Sequence, residues 1–264
     1  MQAVDHLQRN YRIAINYEDP PFQFEGDIQD ITDQVQNPRQ RAANPNARIR
    51  VPRGGRLAMP HVPVRPGVVA DALPAIGQLL SAYEGAGFPG RFRLLQEADA
   101  LTVTPVALRT AQGEWTTVTS VLSAPVSFDR QERAAAEVLD EVLKQVSAAR
   151  GVKVGLAWLP MGAFATTRVN LGADRTPAAS VLRDLFREIT TQIRGALVSS
   201  EAGVLLSYRL LFDPGVRYYM LTVAPVPMPP SPPETNQSGS FGGTFGNVPA
   251  APPSGTLGSA PVKR

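Results

Sequence analysis

The chain has 264 residues, enough for one large domain or two small ones, and its 43% hydrophobic and 19% charged side chains exclude wholesale disorder. It has no cysteine, which rules out disulfides, thiolate metal sites and cysteine nucleophiles. The net charge of +3 comes almost wholly from arginine, since only Lys144, Lys153 and Lys263 are lysines, and so small a surplus points only weakly to nucleic acid.

The N-terminus is polar through Gln2, Asp5 and His6, unlike a signal peptide as it stands. A helical stub spans Ala3–Gln8 and a strand spans Tyr11–Tyr17, ending at the acids Glu18 and Asp19 beside two prolines. Glu25, Asp27, Asp30 and Asp33 follow at three-residue spacing, which fits a turn or a solvated helix face better than a calcium loop. Residues 34–70 hold seven arginines and no acid, and prolines 38, 45, 52, 60, 63 and 66 break any long helix. Within that stretch only Arg48–Val51 has strand character. A helix is expected over Asp71–Glu84, with Leu73, Ile76, Leu80 and Tyr83 on one face and Pro74 confined to its first turn.

Strands are expected at Phe92–Gln96 and Leu101–Val106. Asp129 and Glu132 then read as a capping box opening a helix whose stripe is Ala135, Val138, Leu139, Val142, Leu143 and Val146, stopped by Gly151. Strands follow at Lys153–Leu159 and Arg168–Leu171. Thr176 and Pro177 read as an N-cap and a first-turn proline for a helix carrying Val181, Leu182, Leu185, Phe186, Ile189 and Ile193, with Gly195 as the stop. Strands at Leu205–Phe212 and Tyr218–Ala224 are joined by the turn Asp213–Gly215. Residues 227–264 are Pro, Gly and Ser-rich and read as a disordered tail of roughly 35 Å r.m.s. span. Phe241 and Phe245 are its candidate contacts.

Two segments match. Gly90–Leu95 followed by Leu101–Val106 resembles Ser207–Leu211 followed by Leu221–Val226. Extended backwards, the match predicts an α+β fold of two related helix–strand–strand–helix–strand–strand units, small sheets packed by helices, with the tail appended. The first unit covers 1–108 with the Arg/Pro-rich insertion at 34–70, a connector covers 109–128, the second unit covers 129–226, and the tail covers 227–264.

The segment Val169–Leu182 and the hairpin Tyr208–Val223 resemble the short N-terminal domain shared by secretins and TonB-dependent receptors. Tyr17–Pro20 and Tyr208–Gly215 resemble phrases found in uncharacterised exported bacterial proteins. The likeness covers about residues 130–226 and, more loosely, 3–106, without a barrel, secretin core or plug. It implies an envelope location, periplasmic if a signal peptide precedes this chain and cytoplasmic otherwise. It also implies a module used for contacts rather than catalysis.

Little catalytic material is present. His6 and His61 are the only histidines, no Gly-x-Ser-x-Gly or phosphate-loop motif occurs, and Arg53–Arg56 lacks a following helix signal. No membrane span, metal or cofactor is expected. The expected function is a non-enzymatic interaction module with an unidentified protein partner. The alternatives are an anionic polymer, nucleic acid or lipid headgroup, held by Arg48, Arg50, Arg53 and Arg56, whose forked guanidiniums suit phosphate, and an unrecognised enzyme.

Overall fold

A computed structural model describes residues 2–36, 38–58, 63, 65–97, 100–196 and 204–227. The tail beyond 227, with Phe241 and Phe245, and His61 lie outside the described residues. In chain order the elements are α1 (Gln2–Tyr11), β1 (Ala14–Glu18), β2 (Ile28–Asp30), α2 (Thr32–Val35), α3 (Pro38–Ala43), β3 (Arg50–Pro52), α4 (Val69–Gly85), β4 (Arg91–Gln96), β5 (Ala100–Arg109) and β6 (Trp115–Thr117). Then come β7 (Pro125–Ala134), α5 (Ala135–Arg150), β8 (Lys153–Trp158), α6 (Met161–Thr166), β9 (Arg168–Pro177), α7 (Ala178–Ala196), β10 (Val204–Asp213) and β11 (Tyr218–Pro227). Single 3-10 turns occupy Glu25–Asp27 and Val121–Ser123. The class is α+β; with β2, α2, α3 and α6 set aside, the order helix–strand–strand–helix–strand–strand runs through α1, β1, β3, α4, β4, β5 and again through α5, β8, β9, α7, β10, β11.

A seven-stranded sheet runs β4-β5-β1-β10-β11-β8, with β6 on the end of β5. Each unit supplies an antiparallel hairpin (β4–β5, β10–β11) whose second strand pairs in parallel with the strand that follows the unit's first helix (β1, β8). The two triplets join where β1 pairs in parallel with β10, Tyr17 facing Arg209. Both units therefore share one sheet and lie within one compact body.

Side-chain alternation assigns the two cores to opposite faces. Ile15 and Tyr17 of β1, Leu101 and Val103 of β5, and Leu211 of β10 pack with α1 and α4. Leu210 and Phe212 of β10 point the other way and pack with α5 and α7, along with Tyr219, Leu221 and Val223 of β11. The stripe expected on α5 is buried at every position, and Gly151 ends that helix in the left-handed conformation glycine adopts freely, at φ 63°.

The structure departs from several of these expectations. Asp129–Glu132 is no capping box: these residues lie in β7, paired antiparallel with β9 across two register shifts. Helix α5 starts later, at Ala135, after Ala134, which caps nothing; the Ala135 N–H donates instead to the Thr167 carbonyl at 3.0 Å. Thr176 and Pro177 end β9, and the Thr176 hydroxyl donates to the Asp174 carbonyl at 3.3 Å instead of capping α7. Gly195 does not stop α7, which runs to Ala196. Helix α4 starts at Val69, so Pro74 sits inside it, and its buried side is Ala72, Ala75, Ile76 and Leu79. The insertion is less irregular than expected, since it holds α3 and β3, and β3 forms a hairpin with β2.

Candidate functional site

The insertion's arginines meet the preceding acids. Because β2 and β3 pair, residues about 20 apart in sequence become neighbours. Arg50 grips both carboxylate oxygens of Glu25, Arg48 Nε lies 3.7 Å from Asp30, and Arg41 pairs with Asp33. Asp27, expected in a solvated turn or face, is buried and accepts from Arg109 Nε at 3.1 Å. Hydrogen bonds from the Thr32 side chain and N–H hold the Asp30 carboxyl below its ordinary range, helped by Arg48 and Arg50. A polar cavity of about 530 Å³ beside this hairpin is lined by both signs, Asp30 and Asp33 with Arg41 and Arg48. Of the four arginines expected to bind an anion, Arg48 and Arg50 are thus engaged. Arg53 and Arg56 are exposed, with no ion pair shown among the described residues.

Glu18 and Asp19 end the most enclosed strand. Parallel strands flank β1 on both sides and α1 and α4 pack on its Ile15 and Tyr17 face, and all five of its residues are buried. Glu18 accepts from the Ser120 hydroxyl at 2.6 Å and from the Val121 N–H, which ties β1 to the 3-10 turn before β7. Burial pushes its carboxyl up to about 7, against the pull of those donors and of the Arg150 charge. Asp19 accepts from the Tyr17 hydroxyl at 2.7 Å and the Phe212 N–H at 3.1 Å, and burial lifts it to about 6. Such shifts mark catalytic acids elsewhere. Here the carboxylates clasp β1 to the rest of the chain, and neither lines the cavity beside the β2–β3 hairpin or the one at the start of β1, β5 and β10.

Arg209 and Asn16 complete the join. Arg209, 6% exposed, donates to Asp5 at 2.9 Å, to the Gln8 side chain at 3.1 Å and to the Ile15 carbonyl, so β10 is bolted to α1 as well as to β1. Asn16 donates to Thr102 Oγ1 at 3.3 Å and accepts the Tyr208 N–H at 3.0 Å.

A second cavity of about 320 Å³ opens where β1, β5 and β10 begin, beneath α7 and the first turn of α4. Ile13, Val69, Phe186 and Leu206 form apolar walls, and Arg12, Arg183 and Arg187 add positive charge. Sequence reading singled out none of these arginines, although the four-residue spacing of Arg183 and Arg187 on an amphipathic helix was visible.

Among the described residues no strand pairs with the outer edge of β8, although the Val154 N–H donates to Ser147 Oγ of α5 at 3.0 Å. This strand pairs with β11 through Lys153–Trp158 and ends the sheet. Leu156 is 43% exposed and Trp158 50%, and Met161 just beyond them is 61% exposed. Gly155 leaves room for the Tyr218 side chain, whose hydroxyl occupies the place an added Cβ would take. The sequence marks this apolar run as a strand, but nothing in a run of that composition says which side has a neighbour.

His6 is exposed and its ring nitrogen lies 2.8 Å from the Asn10 amide on the same helix. Among the described residues no group of three or more His, Asp or Glu could hold a metal ion, and no helix is long and apolar enough to cross a membrane. No known family, curated protein or solved structure matches this chain.

Proposed function

We propose that this chain is a non-enzymatic protein-interaction module that accepts an extended strand of a protein partner along the outer edge of β8. One observation carries this reading. β8 stands in its unit where β1 stands in the other, and β1 has a neighbour on its outer side where, among the described residues, β8 has none. The registers agree: Ile15 faces Leu101, and Leu156 faces Leu221, the counterpart of Leu101 in the matched segments. In β1 the outer edge is filled by β10. Near its start the β8 backbone is engaged by α5, where the Val154 N–H donates to Ser147 Oγ at 3.0 Å and its carbonyl accepts from that hydroxyl at 3.4 Å; beyond it Leu156 and Trp158 are the apolar anchors an added strand would meet. The envelope location implied by the secretin and TonB resemblance belongs to this proposal, as does a tethering role for residues 227–264.

The reading in which Arg48, Arg50, Arg53 and Arg56 hold an anionic polymer has less support, because acids of the same chain occupy two of the four. A photo-crosslinking residue in place of Trp158, introduced into the full chain and exposed to an envelope fraction, tests the preferred reading. The expected result is a defined protein adduct that disappears when Leu156→Lys is added. Absence of an adduct, or one indifferent to Leu156→Lys, would sink the proposal. An adduct with a second copy of the chain would name the partner.

A further inference from the structure

Independently of the β8 edge, we infer that the cavity at the start of β1, β5 and β10 is a binding site for a small amphipathic anion, a carboxylate or phosphate monoester on an apolar body. Its volume, about 320 Å³, lies within the range of roughly 300–1,000 Å³ typical of small-molecule sites, and its walls are apolar with a few convergent polar groups. Three arginines line it and, among the described residues, no acid does. That composition disfavours a cation and suits an anionic head.

The arginines are placed in ways that folding alone does not require. Arg12 follows α1 with a φ of 52°, the left-handed region where glycine is the unstrained choice. The turn is held by the Arg12 N–H on the Gln8 carbonyl at 2.9 Å and the Gly67 N–H on the Tyr11 carbonyl at 2.7 Å. A glycine would make that turn at less cost; arginine adds a guanidinium at the cavity. Arg183 and Arg187 sit one helical turn apart on α7, a spacing at which like charges repel. Asp184 lies between them, 3.5 Å from Arg183 and 3.4 Å from Arg187, and Glu97 lies 3.7 Å from Arg183. These acids steady the guanidiniums but are not among the lining residues, so the cavity still presents positive charge. The first turn of α4 reaches the cavity at Val69, and its own acid, Asp71, is turned to Arg65 at 2.6 Å and is not among the lining residues. The small volume, with no stacked aromatics among the described lining residues, suits a small molecule better than a polymer.

Calorimetric titration of the full chain with octanoate, octyl phosphate, octanol and inorganic phosphate tests the inference. Octanoate or octyl phosphate should bind at least about tenfold more tightly than octanol or inorganic phosphate, because the site rewards head and body together. The better of the two identifies the head group. Arg12→Gly, which relieves the backbone, and Arg187→Ala, at an exposed helix position, should each weaken that binding about tenfold while leaving thermal unfolding near that of the parent. Equal binding of octanol, equal binding of inorganic phosphate, no binding of any probe, or affinity unmoved by both substitutions would each overturn the inference.

Discussion

β1 and β8 hold the same place in two triplets of strands and meet opposite fates. β1 is enclosed by β5 and β10 on its edges and by α1 and α4 on one face, and Ile15 is wholly buried. β8 has a neighbour on one side, and Leu156, at the matching register, is 43% exposed. The sequences run against this outcome. The enclosed strand is Ala-Ile-Asn-Tyr-Glu, with an amide and a carboxyl to satisfy, and the open one is Lys-Val-Gly-Leu-Ala-Trp, with one charge at its start. The enclosed strand can carry polar groups because each has a partner, Asn16 with Thr102 and Tyr208, Glu18 with Ser120 and Val121. The open strand is guarded near its start, where the Val154 N–H donates to Ser147 Oγ at 3.0 Å, and it carries no charge beyond Lys153. At the opposite edge of the sheet, by contrast, β4 exposes Arg91 and Arg93, and Arg91 lies 3.1 Å from Glu84 with its guanidinium 4.5 Å from the Trp115 ring centre.

The largest expected effect separates the two strands directly. Ile15→Ala removes a wholly buried side chain from a close-packed core and should cost about 2–5 kcal/mol of stability. Leu156→Ala, in the isolated protein, should cost less than about 1 kcal/mol, since that side chain already meets water. Urea unfolding of the two variants measures both. If the losses are equal, the β8 edge is covered in solution and the contrast collapses.

The next effect is the penalty of enclosing an acid. Glu18 titrates near 7 in the folded chain against an ordinary 4.5, and Asp19 near 6 against 3.8. Both folded values are raised, so the folded state holds the protons more tightly. That contribution to stability is complete below about pH 4 and is lost as pH rises through 6 and 7. For Glu18 alone the loss between pH 5 and 8 should be roughly 2–3 kcal/mol, from about 1.4 kcal/mol per pH unit. Glu18→Gln, which keeps a carbonyl acceptor and never ionises, should flatten most of that slope in unfolding midpoints taken across the range. A parent protein as stable at pH 8 as at pH 5 would mean that water or the Arg150 charge compensates Glu18 more fully than burial suggests.

Local order was readable in the sequence and long-range pairing was not. The stripes on α5 and α7 follow from helical spacing, and the turn between β10 and β11 from Asp213, whose carboxylate accepts the Gly215 and Val216 N–H groups at 2.7 and 3.3 Å. The matched segments led to the repeated element order, but not to the β1–β10 pairing that merges the two triplets. That pairing depends on Arg209 reaching α1 some 200 residues away in sequence, which no local pattern encodes. β7 failed for a related reason. Asp129 and Glu132 have the spacing of a helix cap, and pairing with β9 overrides it. The arginine insertion was legible as charge, but its partners Glu25 and Asp30 become neighbours only once β2 and β3 fold back on each other. The exposed Trp158 was invisible for the converse reason: sequence gives a strand's composition and not the number of its neighbours.

The smallest expected effect tests whether the open face of β8 is rigid. Gly155 takes the place that Ala14 takes in β1, by the same register count, and Ala14 is buried with its methyl accommodated. At Gly155 a methyl would collide with the far end of the Tyr218 side chain, not with backbone. A half-exposed ring can swing aside, whereas a ring locked by neighbours cannot. Gly155→Ala should therefore cost less than about 1 kcal/mol, the loss of ring contact being partly offset by alanine's smaller loss of backbone freedom on folding. A cost above about 2 kcal/mol in urea unfolding would show that Tyr218 is fixed across the strand. The face of β8 would then be as tightly packed as that of β1, and only its backbone edge would remain open to a partner.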